Sequence, residues 1–346
     1  MANFWARAGR DVAVIVPEDR ESAFFELHPE VLHLGLAGWG RLGRRLRERL
    51  SDLGVDAVLA IADGGGAAAE AAAAGRALHL PTVLASGNTP AATASARGWR
   101  GLRAYRRAVR RAPLNVVPCE RAAAELRSLV PAVRKLEIVP SFAPAGSTRA
   151  NIPGAASGPA VARSPEAQIL AVGSLEPHNG FELLLRAFAR IRAEFPEWGV
   201  RIVGGGSEEA ALGTLAAELG IEHAVELTGV VEDTMPYYRT AEIFALPARR
   251  KAFPNTLLEA MQSGLPCVAY DCPAGPREII GHRASGIVVP PHSTDLFAEA
   301  LAELIRDSRL RKRFGARGRE LAERHSPSAI MPLWERMLSS ARARSK

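Results

Sequence analysis

The sequence predicts an α/β fold built on parallel β-sheets, and three observations support this. Short apolar runs rich in β-branched residues alternate with amphipathic helical patterns, which is typical of parallel sheets covered by helices on both faces. A stretch dominated by Ala, Pro, Gly and Ser at 142–166 interrupts the alternation, which then restarts. With 346 residues the chain is long enough for two domains, and we expect them at 1–150 and 165–326.

The first half contains five short apolar runs that we interpret as strands, at 12–16, 55–61, 82–85, 114–117 and 136–139. Apolar residues at helical spacing between them predict helices near 39–52, 66–78, 97–111 and 120–129. Gly64-Gly65-Gly66 opens the second of these helices. It lacks the Gly-x-Gly-x-x-Gly spacing of a dinucleotide loop, so we interpret it as a tight turn.

The second half repeats the alternation with six predicted strands, at 169–172, 200–203, 224–227, 243–246, 267–270 and 287–289. The helix predicted at 181–195 carries its apolar residues on one stripe. A further helix is predicted to begin at Asn255, which is a good N-cap residue, and to end at Gly264, the usual left-handed stop. Three more helices are expected at 295–306, 308–324 and 327–342.

Composition limits the class of protein. Hydrophobic residues make up 47% of the chain, but no uninterrupted apolar run approaches the ~20 residues of a membrane span. The N-terminus lacks the basic and then apolar pattern of a signal peptide. Cys119, Cys267 and Cys272 follow no metal-binding or redox spacing, so we interpret them as reduced, buried side chains in a cytoplasmic protein.

The net charge of +7 is unevenly placed. The predicted helix at 97–111 holds Trp99, Leu102 and Tyr105 at helical spacing among many arginines, and a second basic helix lies at 41–49. Two interpretations stay open: solvated faces over buried apolar stripes, or attachment to an anionic membrane surface. Nucleic acid is disfavoured as a partner, because no zinc spacing, RNA-recognition sequence or helix-turn-helix pattern accompanies the charge.

The segment 248–261 is the most informative part of the chain. It follows the strand predicted at 243–246 and runs through a short loop into the helix that begins at Asn255. A helix start beyond a parallel strand presents free N–H groups and a partial positive charge, which is a common place for phosphate. Asn255 and Glu259 share one helix face, where a carboxylate can accept hydrogen bonds from sugar hydroxyls. Any doubly wound domain contains similar units, so spacing alone does not establish a site.

The residues from Phe253 to Met261, followed by Gly264-Leu265-Pro266 and by 271–280, resemble the donor-site signature of family-4 glycosyltransferases. The resemblance runs from Gln168 to Trp334 and includes motifs at 171–173, 204–208 and 227–231. It implies the GT-B fold, in which two facing Rossmann-like domains with parallel sheets hold a nucleotide-sugar mostly through the C-terminal domain. It also implies that a C-terminal helix, 327–346, crosses back to the N-terminal acceptor domain.

The resemblance further implies where the site residues are. Lys251 and Glu259 fall at the family's paired catalytic glutamates, and Glu259 would bind ribose hydroxyls. The glycine turn after the strand at 200–203 would let the nucleotide approach the backbone. The implied donor-binding residues are Gly173, Ser174, Asn179, Gly204, Gly205, Val230, Phe253, Pro254, Asn255, Thr256, Leu257 and Glu259.

No Asp-x-Asp pair or His/Cys/carboxylate cluster has ligand spacing. GT-B enzymes use side chains and helix ends in place of a divalent cation. We therefore expect no catalytic metal and no cofactor besides the donor.

We expect a retaining hexosyltransferase that moves a sugar from a UDP-sugar to a cell-surface polysaccharide or lipid-linked glycan. It would act in the cytoplasm or at the inner face of the membrane. The alternative is a non-catalytic GT-B protein that serves as a partner subunit or binds a nucleotide weakly. A nicotinamide-dependent oxidoreductase is disfavoured by the missing fingerprint.

Several positions depart from the family pattern. Active members carry arginine at the position of Ser174 and lysine at that of Asn179, and the first of the paired glutamates is replaced by Lys251. Either the chain keeps the fold and has lost glycosyl transfer, or the positive charge has moved to 249–251, beside the helix start. A lysine beside the positive end of a helix is unfavourable unless an anion lies there too.

The start of the chain also departs from the family. Residues 1–12 resemble the end of the family's first helix running into its second strand. The first strand and its glycine-rich loop then have no counterpart, through a misassigned start codon or a truncation. We therefore expect the N-terminal sheet to lack a central strand.

Overall fold

The computed structural model of the chain describes residues 1–16, 27–36, 42–62, 66–86, 98–133, 135–142, 167–250, 253–272 and 275–342. The chain divides into two compact units. Unit 1 comprises Met1–Pro140 and Ser328–Lys346, and unit 2 comprises Ser141–Pro327. The predicted connection at 142–166 lies, apart from its first residue, outside the described residues.

Unit 1 contains parallel strands and the helices that cover them. Its strands are β1 (Val12–Val16), β2 (Val31–Gly35), β3 (Val58–Ala62), β4 (Thr82–Ser86), β5 (Leu114–Val117) and β6 (Leu136–Ile138). Its helices are α1 (Ala2–Arg7), α2 (Leu42–Asp52), α3 (Gly66–Ala77), α4 (Gly98–Arg111), α5 (Glu120–Leu129) and the last helix of the chain, α13 (Pro327–Arg342).

The described strands of unit 1 form two sheets. β1 pairs with β2, and β3, β4, β5 and β6 pair in that order, all in parallel. Ile15 of β1 nevertheless packs against the same apolar cluster as Val58 of β3 and Leu46 of α2, so the two sheets share a core. The expectation that a central strand is missing stays a prediction.

The last helix packs within unit 1. Trp5 donates a 2.7 Å hydrogen bond from its indole nitrogen to Glu335 of α13, and Arg10 forms an ion pair with the same carboxylate. Ile330, Met331 and Trp334 are buried on the inner face of this helix. Glu335 therefore ties the last helix to the N-terminal segment of the chain.

Unit 2 is built around one six-stranded parallel sheet. Its strands, in the order β12-β11-β10-β7-β8-β9, are Gly286–Val289, Cys267–Tyr270, Ile243–Leu246, Ala167–Val172, Trp198–Val203 and Val225–Leu227. Its helices are α6 (Phe181–Ile191), α7 (Glu209–Glu218), α8 (Met235–Thr240), α9 (Asn255–Gln262), α10 (Pro276–Ile280), α11 (Thr294–Arg306) and α12 (Ser308–Ala322).

Both faces of this sheet are covered, which explains why its strands read as continuous apolar runs. One face packs against α6 and α11 through Leu184, Phe188 and Phe297. The other packs against α9 through Leu257 and Met261. The prediction of an α/β fold with parallel sheets is confirmed.

The predicted elements differ from the observed ones in a few places. β2 was not predicted, because Val31–Gly35 is a short run. Among the described strands it pairs with β1. Helix α6 ends at Ile191, four residues before the predicted end, since the following turn leads to Pro196. The short helices α8 and α10 were also missed, because five or six residues are too few to show a helical period.

Candidate functional site

The candidate site lies at the carboxyl ends of the strands of unit 2, where the strand order reverses. β7 is the first strand of this unit along the chain, and it lies between β8 and β10. The loops that leave β7 and β10 therefore turn to opposite sides and leave a crevice between them. In open α/β sheets, ligands bind at this switch point.

The loops after β7, β8 and β9 are joined by backbone hydrogen bonds. Leu175 N–H donates to the carbonyl of Gly205 at 2.9 Å, and Glu208 N–H donates to the carbonyl of Leu175 at 2.9 Å. Gly204 N–H donates to the carbonyl of Gly229 at 3.0 Å. These contacts hold the three loops as one rigid rim beside the crevice.

The glycines of this rim are required by the loops themselves. A Cβ atom on Gly204, which has a φ of 144°, would lie 1.9 Å from the carbonyl oxygen of Gly173. A Cβ on Gly206 would lie 2.5 Å from the carbonyl oxygen of Leu175. On Gly205 it would meet the side chain of Val230 at 2.7 Å. The close approach that these glycines permit in the described structure is between neighbouring loops.

Arg249 joins the loop after β10 to the loop after β7. Its backbone N–H donates to the carbonyl of His178 at 3.0 Å, its Nη1 donates to the carbonyl of Pro177 at 2.8 Å, and its Nη2 forms an ion pair with Glu182 of α6. Arg249 is thus used to hold two loops together, and Arg250 is an exposed neighbour that also has interaction partners. Lys251 lies outside the described residues.

Ser174 and Asn179, which the family resemblance places at the diphosphate, are hydrogen-bonded to each other. The amide nitrogen of Asn179 donates to the carbonyl oxygen of Ser174 at 2.7 Å and to its hydroxyl at 3.0 Å. Asn179 is 2% exposed, and its Oδ1 is buried without a hydrogen-bond partner in the described part of the chain. Ser174 is exposed. A buried acceptor without a partner costs free energy unless a ligand or solvent supplies a donor.

Helix α9 begins at the crevice without a side-chain cap. The structure places Pro254 at the N-cap position and Asn255 in the first turn, so the prediction of Asn255 as N-cap residue is wrong. The fixed φ of Pro254 suits a helix start, so the N-cap lies one residue before the predicted position. The Thr256 hydroxyl oxygen is buried and has no hydrogen-bond partner among the described residues. An uncapped helix start with an unpaired hydroxyl is suited to an anionic or polyhydroxy ligand.

Glu259 lies one turn into α9 and is 7% exposed. Its Oε2 accepts a 2.9 Å hydrogen bond from the hydroxyl of Tyr238 in α8, and the same hydroxyl lies 3.2 Å from the carbonyl oxygen of Thr256. Tyr238 is fully buried, and its ring packs against Phe244 with a centroid distance of 5.8 Å. Tyr238 therefore fixes the rotamer of a carboxylate that is almost entirely removed from solvent. The sequence offered no signal for this role.

Phe253 precedes the start of α9 and packs on His325, with a ring centroid distance of 5.8 Å. His325 Nδ1 donates to the carbonyl of Ser141 at 3.3 Å. Burial lowers the pKa of His325 below its ordinary value, the hydrogen bond with Ser141 opposes this shift, and nearby Arg324 adds to it. His325 was not among the predicted site residues.

The remaining predicted residues fall into two groups. Val230 is 37% exposed and follows β9 at the rim of the crevice, so its backbone is available to a ligand. Leu257 is fully buried in the core and can offer a ligand only its backbone.

Within the described ranges, no three His, Cys, Asp or Glu side chains converge to hold a metal ion. Among the described helices, none combines the length and apolar character that a membrane span requires.

Residues 158–321 match the family model described as glycosyl transferases group 1. Over 172 residues the chain is 31% identical to the amylovoran biosynthesis glycosyltransferase AmsD of Erwinia amylovora, an alignment that covers 50% of this chain and 48% of AmsD. The chain spans less than half the length of these curated relatives, AmsD among them. The residues matched by the family model, 158–321, contain the candidate site.

Solved structures show the same fold over most of the chain. Sucrose-phosphate synthase from Thermosynechococcus elongatus aligns with a TM-score of 0.76 and 20% identity, covering 98% of this chain and 92% of that one. Anabaena Alr3699/HepE in complex with UDP-glucose aligns with a TM-score of 0.73 and 19% identity, covering 90% and 86%. The predicted GT-B fold class is confirmed by these likenesses. Residues 158–321 of this chain are thus similar in sequence to the glycosyl transferases group 1, and the chain shares the GT-B fold.

Proposed function

We propose that the protein is a retaining, metal-independent glycosyltransferase that takes a sugar from a UDP-sugar. The acceptor is a growing polysaccharide or a lipid-linked glycan, reached from the cytoplasm at the inner face of a membrane. The observation that carries this proposal is the pairing, at the switch point of unit 2, of an uncapped helix start with a buried carboxylate one turn later.

Each part of this arrangement suits one part of the donor. The free N–H groups at the start of α9 and the loop after β7 face the diphosphate. Glu259, held by Tyr238, accepts hydrogen bonds from the ribose hydroxyls. The backbone near Val230 contacts the base at the rim.

In the proposed reaction these groups stabilise the leaving diphosphate. The bond between the anomeric carbon and the diphosphate oxygen breaks, and the electron pair leaves with the diphosphate. A new bond forms to the acceptor oxygen on the same face of the sugar, and the acceptor hydroxyl gives its proton to an oxygen of the departing diphosphate. Preorganised N–H groups at the point where negative charge develops are an effective catalytic device.

Two comparisons support the choice of donor and acceptor. The Anabaena structure was solved with UDP-glucose, and AmsD is named for the biosynthesis of a polysaccharide, amylovoran. The departures at Ser174 and Asn179 favour the alternative, in which the protein binds a nucleotide without transferring a sugar.

Calorimetry with UDP, UDP-glucose and GDP tests the proposal. Glu259→Gln should weaken UDP binding about tenfold or more, because it replaces charged hydrogen bonds to the ribose by neutral ones. Glu218→Gln, at an exposed position at the end of α7, makes the same charge change away from the crevice and should have no effect. Absence of UDP binding by the parent protein would refute a UDP-sugar donor, and tighter binding of GDP would refute the choice of uridine.

Binding and transfer are then separated by a turnover measurement. The parent protein is incubated with UDP-glucose and a lipid-linked or polysaccharide acceptor, with a chelator present, and UDP release is followed. Release that requires acceptor and persists with chelator supports metal-independent transfer. Binding without any release, with every UDP-sugar and acceptor tried, would favour the non-catalytic alternative.

A further inference from the structure

A buried ion pair lies within the sheet of unit 2. Arg201 of β8 is 3% exposed, and its Nε donates a 2.7 Å hydrogen bond to Oε2 of Glu226, its cross-strand partner in β9. All residues of β8 are buried. Exchanging a buried ion pair for apolar side chains is often neutral or stabilising. The stability of the fold therefore does not explain why an arginine lies at this position.

Arg201 also contacts helix α8. Its guanidinium carbon lies 5.7 Å from the ring centroid of Tyr237, which is 6% exposed and belongs to the apolar cluster between the sheet and α9. A planar guanidinium over an aromatic ring is a directional contact, because the cation is attracted to the face of the ring. Arg201 is thus held by Glu226 in the sheet and holds Tyr237 in the helix above it.

Helix α8 depends on such external contacts. It is six residues long, and helices this short are not stable by themselves, so packing determines where it lies. Successive helical residues point about 100° apart, so Tyr237 and Tyr238 anchor the helix in two different directions. Tyr237 lies over Arg201, and the hydroxyl of Tyr238 bonds to Glu259. Together the two contacts fix the rotation of α8 about its own axis.

We propose that Arg201 is a positioning residue for the donor site. By holding Tyr237 it sets the orientation of α8, and with it the 2.9 Å hydrogen bond from Tyr238 to Oε2 of Glu259. A small rotation of the helix would break this bond, since hydrogen bonds weaken steeply with distance and angle. The inference rests on the proposed function, in which Glu259 accepts hydrogen bonds from the ribose hydroxyls. Because Arg201 is almost completely buried, its effect on a ligand is transmitted through α8.

This role has a signature that a purely structural role lacks. Loss of positioning should weaken the binding of ligands that carry ribose hydroxyls, because only these ligands use Glu259. Dideoxy-UDP has the same base and diphosphate but neither hydroxyl, so its affinity should not change. A general loosening of unit 2 would weaken the binding of both nucleotides.

Calorimetry with UDP and dideoxy-UDP tests the inference. Arg201→Met combined with Glu226→Met removes both charges, which avoids leaving one of them buried and unpaired. This double variant should bind UDP about fivefold more weakly, as expected for the loss of one hydrogen bond, and should bind dideoxy-UDP as the parent does.

Arg306→Met is the matched control. Arg306 also combines an ion pair, with Glu194 at 2.6 Å, and a contact over an aromatic ring, with Phe195 at 5.3 Å. Glu194 and Phe195 precede the amino end of β8, at the edge of the sheet opposite the crevice. The control should bind both nucleotides as the parent does. An equal loss of UDP affinity in the control would overturn a specific role for Arg201.

A double-mutant cycle tests the route through Tyr238. If Arg201 acts through Tyr238, adding Tyr238→Phe to the double variant should cost no further UDP affinity, although Tyr238→Phe alone weakens binding about fivefold. Independent losses, which multiply to about twenty-fivefold, would overturn this route.

Arg201→Lys provides a second variant with a smaller risk to the fold. It keeps the charge opposite Glu226 but loses the planar group, so UDP affinity should fall about two- to threefold while dideoxy-UDP affinity stays constant. Parental UDP affinity in the folded variants, or equal losses for the two nucleotides, would overturn the positioning role alone. Absence of UDP binding by the parent protein would refute the proposed function, and the inference with it.

Discussion

The hydroxyl of Tyr238 donates a 2.9 Å hydrogen bond to Oε2 of Glu259, and both side chains are buried beneath the loops at the switch point of unit 2. Tyr238 comes from a six-residue helix, α8, and Glu259 from α9. The bond therefore makes the direction of the carboxylate depend on an element outside the donor-site signature.

Removing this hydroxyl should weaken both ligand binding and the stability of the fold. Tyr238→Phe keeps the ring and its packing on Phe244 but removes the hydrogen bond to Oε2 of Glu259. We expect UDP affinity to fall about fivefold and the free energy of unfolding to fall by about 1 kcal/mol, which is the usual contribution of one hydrogen bond. Calorimetry and chemical unfolding measure the two effects. Tyr237→Phe on the same helix is the control, and a loss of affinity as large in this control would contradict a specific role for Tyr238.

Lys251 tests whether positive charge has moved within the donor site. If it neutralises the diphosphate, Lys251→Ala should weaken UDP-sugar binding roughly ten- to a hundredfold, since a charged contact to phosphate contributes ~1.5–3 kcal/mol. Lys251→Glu should weaken it further, because it places repulsion beside the phosphates. Isothermal calorimetry with the same UDP-sugar measures all three proteins. Unchanged affinity in Lys251→Ala would exclude relocation of the charge.

The complementary rescue introduces the basic residues that the family resemblance implies at 174 and 179. In the Lys251→Glu background, Ser174→Arg should restore part of the lost affinity, because Ser174 is exposed and an arginine there can reach outward. Adding Asn179→Lys should restore less UDP-sugar affinity than the resemblance to the family implies. Asn179 is 2% exposed, and the hydrogen bonds from its amide to Ser174 would be lost. Full recovery with Asn179→Lys alone would show that this burial is not maintained.

The rim glycines make a separate prediction about stability. Gly204→Ala should lower the free energy of unfolding by about 3 kcal/mol, because the new methyl group would overlap the carbonyl of Gly173 and the backbone has a positive φ. Gly213→Ala, in the middle of α7 with open space around it, should raise it by about 0.5–1 kcal/mol. Thermal and urea unfolding measure both changes. Similar values for the two variants would contradict the rigid joining of the loops.

His325 predicts a dependence of stability on pH. Because burial lowers its pKa in the folded protein, the unfolded chain binds the proton more readily. The stability that this residue contributes is therefore complete above the ordinary value of about 6.5 and is lost as the pH falls through the folded-state pKa. His325→Asn should flatten urea-unfolding free energies between about pH 7 and pH 5. His292→Asn, at an exposed position, should leave the slope unchanged, and equal flattening in both would argue against His325.

Local patterns in the sequence determined most of the fold of unit 2. The strands are buried on both faces and appear as apolar runs, and the long helices carry clear apolar stripes. Gly264 ends α9 as predicted, with a φ of 80°. The position of the candidate site also followed from the sequence, because parallel strands bring their carboxyl ends to the same edge.

Only the tertiary structure determined which side chains of this site contact one another. Arg249 forms an ion pair with Glu182 and a hydrogen bond with the carbonyl of Pro177, and Asn179 is hydrogen-bonded to Ser174. The spacing of residues along the chain does not predict these contacts. Tyr238 and Glu259 meet across two helices. The physical reason is that hydrogen bonds and ion pairs depend on distances of about 3 Å between atoms far apart in the chain, and only packing determines those distances.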